Sequence, residues 1–135
     1  MHVLDTSAVM AVLQEEPGSD QVTELLTLAS EGERLLLPFM ALMEVEYHLR
    51  RRHGAQDLNN VLAMIASWPV RVEESTPEWG HAAASVKANY RLSAADAWIA
   101  ALAITHDARL VHKDPEFDPI RELQHFRLPY KPKQK

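Results

Sequence analysis

Cysteine is absent from all 135 residues. That suits a reducing compartment, and it removes thiol nucleophiles and cysteine-based zinc sites from consideration. No run of 18 uninterrupted apolar residues occurs, so no membrane span is expected. The first residues carry no basic leader, and Asp5 interrupts the only early apolar run. A secretory signal is therefore not expected, and a cytoplasmic location is. A positive surface is lacking too: the formal net charge is −5, so any nucleic-acid contact must use a local basic patch. Two patches exist, "HLRRRH" at 48–53 with Arg50, Arg51 and Arg52, and "KPKQK" at 131–135. Each also has a plainer reading, a solvated helix end and a frayed terminus. Repeats, low-complexity blocks and internal linkers are missing as well. The length suits one domain, drawn at 1–128, with a basic tail at 129–135.

What is present is an alternation. With 47% apolar residues the chain can bury a substantial core. Residues 2–4 predict a short buried strand. Residues 6–15 predict a helix stopped by Pro17-Gly18, and Ser19 is the expected N-cap of a second helix reaching about Ser30. "RLLLP" at 34–38 predicts a second strand. "FMALMEVEYHLRRRH" predicts a long helix with Gly54 as its C-cap. A helix is expected over 55–67, a third strand over 69–72, and a helix from Pro77 to about Tyr90. "SAADAWIAALAITH" predicts a very apolar helix, "RLVH" at 109–112 a fourth strand, and 123–128 a possible fifth. Strands separated by helical stretches imply crossover connections and a mainly parallel sheet. In such sheets ligands bind beyond the carboxyl ends of the strands. Asp5 follows the first strand and Asp114 the fourth, so parallel strands would place both acids on one edge.

Four carboxylates resist a purely structural explanation as a set. Asp5 alone reads equally well as a helix N-cap, and Asp114 alone as a turn residue before Pro115. Glu44 lies in an apolar helix beside Met40, Ala41 and Tyr47, where an unpartnered carboxylate is costly, with only His48 one turn on. Glu46 has an ordinary partner in Arg50. Asp96 stands three residues after Ser93, in a pattern resembling a capping box. Converging within about 5 Å, such acids would repel by on the order of 3 kcal/mol per pair at an effective dielectric near 20. A cation would neutralise them, and an all-oxygen donor set selects Mg²⁺ or Mn²⁺ rather than zinc. A divalent ion beside a phosphate acidifies bound water and stabilises the leaving oxygen, which is the chemistry of phosphodiester hydrolysis. The seven histidines show no i, i+4 pair of the kind that binds zinc on a helix.

These segments resemble the PIN-domain ribonucleases, and most closely the VapC-type toxins of bacterial and archaeal toxin–antitoxin pairs. "VLDTSAV" resembles the first motif, with Asp5 followed by Thr6 and Ser7. "MALMEVEY" resembles the second and aligns Glu44. "LSAADAWIAALA" is similar to the third, the most specific, and aligns Asp96. "LVHKDPEF" resembles the fourth, with Asp114 three residues before Phe117. The resemblance covers about residues 1–128. It implies an α/β, three-layer fold whose central, mainly parallel sheet of about four or five strands is flanked by helices, with the first strand central. It implies a Mg²⁺- or Mn²⁺-dependent endoribonuclease in which Asp5, Glu44, Asp96 and Asp114 hold the metal. It further implies an RNA substrate, a small antitoxin partner that blocks the acidic pocket, and a homodimer. Ser7, more than Thr6, is expected to orient Asp5 or hold a metal-bound water. One departure stands out. The family often has a hydroxyl residue two positions before the fourth acid, and here that residue is His112, read either as a phosphate or metal-water contact or as a solvated strand end.

Competing functions remain open. An aspartyl-phosphate phosphatase needs a second acid two residues after the first, where this chain has Ser7. A phospho-receiver domain wants an acidic pair after the first strand, and only Asp5 is there. A catalytically inactive PIN-like module that binds RNA or a partner, and a PIN-type nuclease acting on DNA structures, are the alternatives within the same fold.

Overall fold

The computed structural model describes residues 1–54 and 57–130. Five strands form one sheet: β1 (His2–Leu4), β2 (Leu35–Pro38), β3 (Arg71–Glu73), β4 (Arg109–His112) and β5 (Gln124–Arg127). Their order is β3-β2-β1-β4-β5, and all four pairings are parallel. β1 is therefore central, as expected, with Val3 opposite Leu36 on one side and Leu110 on the other.

Six helices complete the three layers: α1 (Thr6–Leu13), α2 (Ser19–Ser30), α3 (Phe39–His53), α4 (Leu58–Ala66), α5 (Pro77–Asn89) and α6 (Ala94–Thr105). Side chains alternate across each strand, and this divides the core in two. Val3, Leu36 and Leu110 face one layer with Trp79, Ile99, Phe117 and the alanines of α6. Leu4, Leu35, Leu37 and Val111 face the other with Val9, Val22, Val45 and Ile65 from α1 to α4. Each large apolar side chain removed from water in this way contributes roughly 1.5–3 kcal/mol. The small residues Ala97, Ala100, Ala101 and Ala103 let α6 lie close against the sheet. Trp79 Nε1 ties α5 to α6 by donating to the Trp98 carbonyl at 2.7 Å.

The boundaries depart from the sequence reading in a few places. Gly18, not Ser19, is the N-cap of α2: its φ is 98°, and a Cβ there would meet the Leu128 Cβ at 3.0 Å. Only glycine suits that conformation and that close approach. α1 ends at Leu13, two residues earlier than expected, where the chain turns through Glu15 at φ 51°. β3 starts at Arg71 rather than 69. Gly54 does close α3, its N–H donating to the Arg50 carbonyl. Residues 55–56, the start of the expected 55–67 helix, and the basic stretch 131–135 lie outside the described residues. Among the described residues no helix is long and apolar enough to cross a membrane.

Candidate functional site

Parallel strands bring the carboxyl ends of β1 and β4 side by side, and the acids that follow them face one cleft. That cleft has a volume of about 630 Å³, and Asp5, Glu44, Asp96 and Asp114 all line it, with Thr6, Ser7, Ser93, Lys113 and Arg52. Residues separated by more than a hundred positions are thus gathered by topology alone.

Each acid is placed by a distinct local device. Asp5 ends β1 and N-caps α1: its Oδ1 accepts the Ala8 N–H at 2.8 Å. The Ser7 hydroxyl lies 2.7 and 2.8 Å from its two oxygens. The cap and site readings of Asp5 are therefore not exclusive. A carboxylate offers about four lone-pair positions, and a single hydroxyl proton with one amide proton fills only two of them. Ser7 also accepts the Lys113 N–H at 3.0 Å, which stitches the end of β1 to the end of β4. Glu44 is half-buried on α3, and Thr6 donates to its Oε1 at 2.8 Å. Its partner is Thr6, not His48, because the first turn of α1 lies across that face of α3. The two hydroxyls of the first motif thus hold one acid each. Asp96 is half-buried in the first turn of α6, where its N–H donates to the capping Ser93 hydroxyl at 3.1 Å. Asp114 caps a 3₁₀ turn at Pro115–Phe117, its Oδ1 accepting the Glu116 N–H at 2.9 Å.

The electrostatics are those of crowded like charges. Asp5 is only 4% exposed. Burial pushes its carboxyl up to about 7; the Ser7 and Ala8 hydrogen bonds oppose this, and Asp96 and Asp114 add to it. Asp96 is raised to about 6, by burial first and then by Asp114, with Glu44 and Glu116 contributing. Among the described residues no salt bridge reaches any of the four acids. The cations on the cleft wall are held at its rim instead. Lys113 Nζ donates to the Pro17 carbonyl at 2.8 Å and lies 3.7 Å from Glu16, while Arg52 donates to Gln14.

Sequence reasoning missed Glu116. One carboxylate oxygen from each of Asp96, Asp114 and Glu116 lies within 4.8 Å of the others. The available signal was its place two residues after Asp114, in the turn whose backbone that acid caps. An all-oxygen donor set, buried in part and with no salt bridge among the described residues, fits a hard divalent cation.

His112 departs from both of its expected roles. It is fully buried, so it is not a solvated strand end, and it is not among the cleft-lining side chains. The α3 arginines are divided. Arg50 pairs with Glu46 at 2.8 Å, as expected, and Arg51 donates to the Tyr47 hydroxyl; only Arg52 lines the cleft.

Comparison with known proteins agrees with this arrangement. The PIN domain family model matches residues 2–123. Among solved structures, VapBC2 from Rickettsia felis, bound to a DNA fragment from its promoter, superposes with a TM-score of 0.79 at 16% identity, over 95% of this chain and 98% of that one. DNA-bound VapBC from Salmonella typhimurium gives 0.78 at 17%, over 93% and 96%. VapC20 from Mycobacterium tuberculosis, a sarcin–ricin loop cleaving toxin, gives 0.70 at 21%, over 90% and 95%. No curated protein sequence matches the chain. At these identities the superpositions speak to the fold. With the family model spanning 122 of 135 residues (2 to 123), four acids on one cleft and an all-parallel sheet, this chain belongs to the PIN domain family.

Proposed function

We propose that this protein is a divalent-metal-dependent endoribonuclease and the toxin of a toxin–antitoxin pair. The observation that carries the reading is the convergence of Asp5, Glu44, Asp96 and Asp114 on one cleft, with no salt bridge to any of them among the described residues. These acids would hold Mg²⁺ or Mn²⁺, which when bound supplies Lewis acidity to the scissile phosphate and a water of lowered pKa. Ser7 fixes the Asp5 carboxylate, and Thr6 fixes Glu44, so the donors are oriented before any ligand arrives. Arg52 lines the cleft beside the acids and is the basic side chain it offers to an RNA backbone phosphate, whereas Lys113 is tied to Pro17 and Glu16. Arg50 and Arg51 extend that positive face along α3 as further RNA contacts.

The toxin reading draws support from the structural relatives. Two of them are VapBC complexes, and VapC20 is a sarcin–ricin loop cleaving toxin. In this reading a small antitoxin covers the cleft, the toxin acts in the cytoplasm, and it works as a homodimer. The test is direct. Purified protein with Mn²⁺ should cleave structured RNA and spare a DNA oligonucleotide of the same sequence, and expression should be toxic unless the product of an adjacent short gene is co-expressed. Cleavage of DNA alone would make it a structure-acting DNA nuclease. RNA binding without cleavage would make it an inactive PIN module.

A further inference from the structure

Three of the four acids are carried or capped by helices of eight residues or more, whereas Asp114 stands before a three-residue turn. The cap bond to Glu116 holds its carboxylate to that short turn, and its backbone has a second anchor. The Asp114 N–H donates to Nδ1 of His112 at 3.1 Å. His112 Nε2 lies 3.0 Å from Nδ1 of His125, and His125 Nε2 lies 3.3 Å from the Ile120 carbonyl.

One proton assignment satisfies all three bonds. Because His112 Nδ1 accepts, its proton sits on Nε2 and is donated to His125 Nδ1. The His125 proton then sits on Nε2 and is donated to Ile120. In the reverse direction a protonated His112 Nδ1 would face the Asp114 N–H, and a bare His125 Nε2 would face a carbonyl. The chain of bonds therefore begins at Asp114 and ends at Ile120, gripping both ends of the 114–120 segment. His112 is fully buried, with its ring edge-on to Phe117 at 5.0 Å between centroids, so it has little freedom to turn. His112, His125 and Asp118 also bring ligand atoms within 4.8 Å of one another. Asp118, however, already accepts from Arg127 and Tyr130, and the two rings satisfy each other, so hydrogen bonds account for that trio.

We propose that the His112–His125 pair is a positioning device for Asp114: His125 enforces the Nε2–H form of His112, whose bare Nδ1 holds the Asp114 backbone and so aims its carboxylate into the cleft. This rests on reading Asp114 as a metal ligand. Neither histidine touches the metal or the RNA.

Two substitutions separate the halves of the device. In His112→Asn the amide oxygen takes the place of Nδ1 and can still accept from Asp114. In His112→Gln the amide reaches only the Nε2 position, and the Asp114 N–H loses its acceptor. Both should lower the melting temperature by similar amounts, since both remove a buried ring. Mn²⁺ affinity, read by calorimetry, should separate them: His112→Gln should fall by about tenfold or more, the usual cost of losing a group that orients a ligand, while His112→Asn stays near the parent. Equal losses in the two variants, or none in His112→Gln, would overturn the inference. Asp114→Asn is the control for the reading beneath it. Unchanged Mn²⁺ binding there removes Asp114 from the metal set, and this inference with it. Should His112→Gln fail to fold, His125→Phe keeps the His112 ring and removes its acceptor, together with the bond to Ile120. Nitrogen NMR should then show His112 as a mixture of tautomers, with weaker Mn²⁺ binding; a pure Nε2–H form with unchanged affinity would overturn the proposal.

Discussion

Adjacent strands β1 and β4 both end in a buried polar side chain, and the two are finished in opposite ways. At the end of β4, His112 has a partner on each ring nitrogen, and its neighbour His125 passes the remaining proton to a carbonyl. At the end of β1, Asp5 receives one amide and one hydroxyl and otherwise faces Asp96 and Asp114. Buried polarity that is completed from within rigidifies a fold. Buried charge left beside like charge costs stability and persists where something from outside completes it. One strand end is thus completed from within and the next is a candidate site, although both are buried and polar.

The comparison breaks most visibly under Asp5→Asn. Asn caps a helix about as well as Asp, so α1 should survive, while RNA cleavage in single turnover should fall by roughly a thousandfold or more, an order typical of losing one strong electrostatic contact to the transition state. Retained cleavage would return Asp5 to a capping role.

A second effect should appear in metal-free melting. The folded pKa of Asp5 is raised, so the native state binds more protons than the unfolded chain between about pH 4 and 7. Its contribution to stability is present below that window and lost as pH rises through it. Asp5→Asn removes the loss. The variant should therefore melt above the parent by an amount that grows from about pH 4 to pH 7 and then levels off, on the order of 10 °C for a few kcal/mol at this size. Adding Mn²⁺ should reverse the order. His112 works with the opposite sign: burial holds it down at about 4, so its contribution weakens as pH falls below 6.5. The difference between parent and Asp5→Asn, rather than either curve alone, isolates the acid.

A smaller effect should attend His112→Leu. It strands the Asp114 N–H and the His125 Nδ1, and should cost about 1–3 kcal/mol in chemical denaturation. Unlike the change at Asp5, this cost should be present with and without Mn²⁺. The smallest effect concerns the rim. Arg52→Ala should lower the salt slope of RNA binding by about one unit, as loss of one phosphate contact does. Arg50→Ala, whose guanidinium is held by Glu46, should lower it less. Equal slopes would show that lining the cleft does not mark the phosphate contacts.

Much of this was legible in the residues. Short apolar strands separated by helical periods imposed a parallel sheet, and a parallel sheet put Asp5 and Asp114 on one edge. Glu44 stood out because an acid in an apolar helix needs a partner, yet the partner was misjudged: helical spacing sees His48 and cannot see Thr6, which arrives from another helix. Gly18 capped α2 instead of Ser19 because the constraint there is a close approach by Leu128, a contact invisible to local patterning. The same limit hid His112, since its role depends on His125 from the neighbouring strand. Glu116 was missed because its one signal, a place two residues after Asp114, is weak for an exposed acid in a turn until the fold shows Asp96 beside it.

β1 lies between a strand formed early in the chain and one formed late, and this sets when the cleft can exist. A nascent chain that has reached β2 holds Asp5 with one flank of β1 bare, no Lys113 amide for Ser7 to accept, and no Asp114. The acids meet only after the fourth strand has been synthesised and has paired with the first, a contact of long sequence separation and thus a slow folding step. An enzyme that cuts RNA would in this way stay inert while its chain is being made, and become competent only once its fourth strand has emerged and paired with the first.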